Sequence, residues 1–440
     1  MHHLKNQINY AWVVLIILFG FITNVNAQQN ADYALAKSYF KEIDSLCNID
    51  DGKLWGVHLN GPIMLVFSDT RTIIANQADN DKKLKEKDGV FTRKLPDNIN
   101  IANTSLVWNG QQWTMVMWDA LSTTDKYMRD YLFIHESWHR VQDKIGIVPL
   151  ISTNTHLDEL QGTVLIKLEL RALHKALVSK NSEEKVEAIK DALFFRAYRQ
   201  SLFPTNNENS FERHEGMAEY TGNKLCGLSD KYLPIVMAKR LQLGESNDGF
   251  ANSFAYLTGP AYGFLLDSLY PTWIKQIIAG ENLPFIIKNS LKLEIPTDTI
   301  KMKLIIDTIG NKYNAKELLM EETLKFEQQA ALLNYYKDNL IENEQLIIQN
   351  NNLNFTYNPQ EKQIHIDKGV VYKTMRLTGE WGILEVKNGI LRTDDWKFFI
   401  VAAPKKFAIN PITEEDYTLN LNQGWSVVKV KDKKYMIKKK

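Results

Sequence analysis

The spacing of apolar positions changes several times along the chain. Residues 31–46 repeat apolar positions at three- and four-residue steps and predict a helix. From 54 to 118 the pattern shortens to runs at 54–59, 62–69, 72–77, 105–110 and 113–118, which predict strands. Turn signals at Asn60-Gly61-Pro62, Leu95–Asn98 and Asn109-Gly110 separate them, the last a hairpin turn between two Trp-bearing runs. The charged stretch Asn80–Asp88 reads as a solvated loop. Helical spacing then returns and predicts helices at 124–145, 156–179, 183–201, 211–225, 230–243, 254–269 and 313–340. Beyond about residue 345, short strands alternate with turns: 354–359, 363–369, 370–379, 381–389, 397–404, 417–422 and 425–432. The lysine-rich tail that follows reads as a solvated strand edge.

Before all of this lies a stretch of another kind. Residues 1–27 carry one charge, Lys5, an apolar run from Ala11 to Ile22, and the small-residue pattern Val25-Asn26-Ala27. That is the anatomy of a secretory signal peptide, and the run is short of the roughly 20 residues a spanning helix needs. Cleavage after Ala27 is expected, with export to the periplasm or beyond and no stable membrane span in the mature chain. The expected organisation is therefore a leader (1–27), an N-terminal β-rich part (28–120), a helical part (121–344) and a C-terminal all-β domain (345–440).

Composition narrows the chemistry mainly by exclusion. Of 440 residues, 44% are hydrophobic and 24% charged, which suits a globular protein rather than a disordered or polytopic membrane chain. Lys and Arg number 53 against 52 Asp and Glu, so no bulk positive field exists to hold a nucleic acid. Two cysteines, Cys47 and Cys226, exclude a disulfide framework and a Cys-rich zinc module. In an oxidising compartment they form either one disulfide or two buried thiols.

The stretch Leu132–Val141 contains His135-Glu136-Ser137-Trp138-His139, an H-E-x-x-H pattern. On a helix the two histidines stand one turn apart on one face, so both imidazoles can reach one metal ion, and Glu136 beside the first can take a proton from water. The expectation is a zinc ion acting with Glu136 as general base. Arg140 is unusual, because an uncharged residue is more common there. A catalytic zinc ordinarily has three protein ligands. His156, Asp158, Glu159 and Glu169 are open as the third, Glu169 with Arg171 reading better as a helix surface or a buried structural ion pair.

Further on, His214-Glu215-Gly216-Met217-Ala218-Glu219-Tyr220 resembles the Asn-Glu-Gly-Phe-Ala-x-Tyr helix of gluzincin metallopeptidases, the class of thermolysin-like proteases and related aminopeptidases. The resemblance covers the two short helices and little else. It implies that Glu215 is the third zinc ligand and that Glu219 hydrogen-bonds a ligating histidine. It also implies an α+β, zincin-like fold in which an N-terminal β layer feeds the active-site helix, and a peptide or protein substrate. The chain departs from the family in spacing: Glu215 stands 76 residues after His139, much farther than in familiar gluzincins. Such enzymes use a Tyr, His or Arg to stabilise the oxyanion. The candidates are Tyr220, His156, Tyr256 and Tyr262, with Tyr262 preferred. His58, His174 and His365 show no ligand spacing. Two other readings stay open: a binding protein with a structural metal site, its β domain recognising a partner, and a zinc hydrolase of a non-peptide amide.

Overall fold

The computed structural model describes residues 32–440 apart from 97, 149–153, 248, 352, 358–362 and 408–409. The expected leader at 1–27 lies outside the described residues. The fold is α+β, in two compact units that divide between Leu319 and Met320.

In the first unit, helix α1 (Tyr33–Asp50) is followed by strands β1 (Ile63–Val66), β2 (Thr72–Ala75), β3 (Lys85–Lys87), β4 (Val90–Lys94), β5 (Thr104–Trp108) and β6 (Gln111–Met117). They form one sheet in the order β3-β4-β2-β1-β6-β5, with β1 and β6 parallel and the remaining pairs antiparallel. The run at 54–59, expected as a strand, is instead a series of turns. Gly52 and Gly56 take positive φ there, which breaks the extended path. Part of the charged stretch expected as a loop forms β3, an exposed edge strand carrying Lys85 and Lys87.

Helices follow: α2 (Lys126–Val141), α3 (Leu160–Val178), α4 (Ser182–Leu202), α5 (Glu208–Phe211), α6 (Met217–Leu225), α7 (Leu233–Gly244), α8 (Ala255–Leu269), α9 (Trp273–Ile278), α10 (Leu283–Ser290), α11 (Thr299–Ile309) and α12 (Ala315–Lys337). The Asp125 carboxylate caps α2 by accepting from the backbone N–H of Tyr127 and Met128. Trp138 of α2 is fully buried against Trp55, whose indole N–H donates to Thr221 of α6. Arg140 finds its reason here: its buried guanidinium donates to the Leu59 carbonyl and to Thr114 of β6, clamping the helix to the sheet. Its room exists because Gly61 has no side chain; a Cβ there would collide with the guanidinium.

Asp130, also on α2, is fully buried; its oxygens accept no hydrogen bond among the described residues, and Arg129 Nε stands 3.4 Å from Oδ1. Burial, with the Glu42 charge adding to it, pushes its carboxyl up to about 7. A carboxyl raised above its unfolded value holds its proton longer in the native state. Its contribution is therefore fully present below about pH 4 and is lost as pH rises through about 7. In Asp130→Asn this loss of stability between pH 4 and 7 should flatten, with a gain of about 1–3 kcal/mol at pH 8, read by urea denaturation at several pH values.

The second unit is a pair of sheets with the end of α12 against one of them. One sheet runs Trp425–Lys431, Lys434–Lys439, Gln345–Gln349, Phe398–Ala402, Ile390–Thr393, Gly369–Tyr372 and Ile364–Ile366; the other runs Ile412–Thr413, Tyr417–Leu421, Gly382–Val386, Met375–Gly379 and Asn354–Tyr357. The expected boundary at 345 lies too late, and the unit is not all β. Tyr336 and Leu340 are buried with Val371, Leu391 and Ile400, so the helix end shares a core with the strands. Cys47 and Cys226 are both buried free thiols.

Candidate metal centre

His135 and His139 project from one face of α2, as their four-residue spacing dictates. The chain then makes a long excursion through the antiparallel pair α3 and α4 before returning at α5. The return is fixed by buried charge. Arg196 of α4 donates to both carboxylate oxygens of Glu212, at 2.8 and 2.7 Å, and to Glu169 of α3 at 2.8 Å. Arg199 donates to Glu208 at 2.9 and 2.6 Å and reaches Glu169 at 2.7 Å. Thr258 of α8 also donates to Glu212. These ions are essentially inaccessible to solvent and pair with one another, as buried charges must.

Glu212 opens a single π-helical turn, Glu212–Gly216, that runs into α6. Such turns concentrate at functional sites because the extra residue re-aims side chains. This one directs Glu215 at both histidines while Glu219 reaches the far side of His135. Gly216 makes the approach possible. Its backbone packs on Gly259 of α8, where an added Cβ would stand 2.8 and 2.9 Å from the carbonyl carbon and oxygen of Gly216. Gly259→Ala should therefore destabilise by about 1–3 kcal/mol, although alanine is the better helix former by about 1 kcal/mol. A thermal melt that stays put or rises would contradict this packing.

The three facing atoms form a compact triangle. His135 Nε2 lies 3.2 Å from His139 Nε2, and Glu215 Oε2 lies 3.4 Å from His139 Nε2 and 3.8 Å from His135 Nε2. Ligand atoms 2.0–2.1 Å from a tetrahedral ion stand about 3.3 Å from one another. Two imidazole nitrogens and one carboxylate oxygen also suit a first-row divalent ion. The group is thus positioned to bind a metal ion.

Electrostatics point the same way. Glu136, Glu215 and Glu219 act on the two imidazoles, so their surroundings are rich in negative charge. Burial opposes the His135 cation, yet Glu215 and Glu219 together draw its pKa up to about 10. His139 is lowered by burial and by the neighbouring His135 charge. Burial raises Glu136 to about 7, helped by Glu215 and Glu219. Burial would also raise Glu215, but His135, His139 and His214 hold it low. Glu219 is held at about 2 against its burial by Arg240, His135 and Tyr131. Its Oε2 stands 3.2 Å from His135 Nδ1, and Tyr131, Arg240 and Asn223 donate to it.

The other sequence candidates lie elsewhere. His156 is buried and bonded to Glu208 at 2.8 Å, Glu159 is exposed at the start of α3, and Asp158 accepts from the backbone of Phe250 and Ala251. Tyr262, preferred for the oxyanion, is a correction: its hydroxyl is fully buried and donates to Glu169 at 2.8 Å. Tyr220 donates to Asp267. Tyr256 is the tyrosine at the triangle, its ring stacked on His135 and its hydroxyl donating to Glu215 Oε2 at 2.7 Å. Its position follows from α8 continuing through Pro260. Six helical residues carry Tyr262 well off the face that Tyr256 occupies.

Two further contacts escaped the sequence reading. Gln142, in the 3-10 turn after α2, and His214, beside Glu215, both touch the ligand set. A residue three positions after a ligating histidine carries no signal until its partner, distant in sequence, is known. Comparison with models of known protein families, with curated proteins and with solved structures gives no match.

Proposed function

We propose that this chain is an exported zinc metallopeptidase of zincin-like fold. The observation that carries the reading is the convergence of His135, His139 and Glu215 on one point, with the buried carboxylate of Glu136 next to His135 in the chain. The sheet whose β6 leads into α2 is consistent with a zincin-like layer, and the leader-like residues 1–27 support export.

The chemistry supplied at such a centre is Lewis acidity, which acidifies water and polarises a scissile carbonyl. The protein's own groups do the rest. Glu136 accepts the proton of the attacking water on its carboxylate and returns it to the departing amine. Glu219, bracketed by Tyr131, Arg240 and Asn223, faces His135 Nδ1 and keeps its Nε2 free to donate an electron pair. Tyr256, released from Glu215 as the oxyanion develops, has an O–H donor within the site. Peptide is the preferred substrate because the ligand set and base are those of amide hydrolysis, and the resemblance of the two helices leads to the same class.

The full-length mature chain, expressed with zinc supplied, should hold about one zinc per chain and cleave members of a mixed peptide library. Dialysis against a chelator should abolish cleavage and zinc should restore it, monitored by mass spectrometry of the products. Protein without stoichiometric metal, or loaded protein inert across the library, would sink the reading.

A further inference from the structure

The ligating edge of His139 is controlled from behind by a chain of hydrogen bonds that ends on a ligand. His139 Nδ1 lies 3.3 Å from Gln142 Oε1, Gln142 Nε2 bonds His214 Nε2, and His214 Nδ1 lies 2.9 Å from Glu215 Oε1. Gln142 is buried and the His139 and His214 rings lie 5.0 Å apart, so the relay is packed rather than solvated.

The direction of every bond follows from two facts: an ionised carboxylate only accepts, and an amide nitrogen only donates. Glu215 Oε1 therefore takes the proton of His214 Nδ1. His214 Nε2 faces the amide nitrogen of Gln142, which can only donate, so Nε2 accepts that N–H. That fixes the amide, so its oxygen faces His139 and requires a proton on Nδ1. His139 Nε2 is left bare and faces the triangle. The same relay occupies Glu215 Oε1 and leaves Oε2 as the oxygen directed at the two histidines.

The geometry points to Gln142 and His214 as positioning residues that set the donor state of the metal centre: they select the ligating tautomer of His139 and restrict Glu215 to one ligand oxygen. This rests on the metal reading above and concerns residues that need touch neither metal nor substrate. It differs from the support of His135, where a carboxylate, Glu219, faces the ring directly. On the His139 side an amide and a second imidazole transmit the charge of the ligand Glu215 itself, so the two ligands orient each other.

Cobalt(II) is the probe, because its visible absorption weakens and shifts when a fourth ligand atom becomes a fifth. Wild type, Gln142→Leu, His214→Phe and Gln142→Glu are compared as full-length mature chains. Affinity is read by chelator competition, and folding by circular dichroism and melting. Gln142→Leu and His214→Phe should weaken cobalt by about 10–100-fold, the usual effect of losing an outer partner of a ligand. His214→Phe, which keeps the ring volume and frees Glu215 Oε1, should also weaken the visible bands. Gln142→Glu still offers an oxygen to His139 Nδ1 and should recover most of the affinity. A merely structural residue would show neither the spectral change nor that recovery. Folded variants with wild-type affinity and spectrum would overturn the relay while leaving the metal centre intact. Wild type that binds no cobalt would overturn the metal reading, and the relay with it.

Discussion

Replacing Glu136 by Gln should lower kcat on a cleaved peptide by about 10²–10⁴-fold, the usual worth of a general base, with metal content unchanged. The substitution keeps shape and volume but cannot carry a proton at neutral pH. Glu136 is 5% exposed and makes no hydrogen bond among the described residues, so neither packing nor a ligand contact is lost. Without metal, burial and the adjoining carboxylates put its carboxyl at about 7. A bound cation would pull that value down. Activity of the wild type should therefore rise with pH through the ionisation of this group, and the acid limb should vanish from the residual activity of the variant. Pre-steady-state kinetics beside metal analysis decide it. A variant that loses its zinc would implicate Glu136 in binding, and one that keeps near-wild-type kcat would remove it from the mechanism.

Removing Arg196 should be the most damaging single change to stability. Arg196→Met leaves Glu212 buried without a guanidinium and Glu169 with that of Arg199 alone, at a cost of about 3–5 kcal/mol. By contrast, losing the exposed pair of Lys303 and Asp307 should cost less than about 1 kcal/mol. The damage should not be confined to stability. Glu212 and Glu215 share one π-helical turn, so metal affinity should fall even under conditions where the variant is fully folded. Guanidinium denaturation and chelator competition measure the two effects separately. A folded Arg196→Met with unaltered metal affinity would mean that α6 and α8 alone seat Glu215.

Parts of the centre were legible in the sequence because their geometry is local. His135, Glu136 and His139 need only a helix to be brought together, and the apolar spacing of 124–145 provides that helix. Glu215 was legible only through resemblance, since nothing in its own neighbourhood shows that a 76-residue detour closes back on His139. The means of closure, Arg196 on Glu212 and Arg199 on Glu208, are charges in a helical pattern that looks ordinary until their burial is known. Tyr256 and Tyr262 lie on one expected helix, and only the face that α8 turns to His135 separates the tyrosine at the triangle from the one buried on Glu169. In the fold, the short helices α9 and α10 were missed because each offers too few turns to display a period. The start of the second unit was misplaced because a helical pattern conceals the point at which its buried face changes partners.

The contact between Gly216 and Gly259 also gives the centre an order of assembly. A nascent or unfolded chain that extends only to α6 already contains His135, Glu136, His139 and Glu215, but it lacks the helix surface on which the π-helical turn is seated. The triangle of donor atoms is thus completed only once α8 has docked, and an incomplete first unit carries those atoms without the seated turn that brings them together.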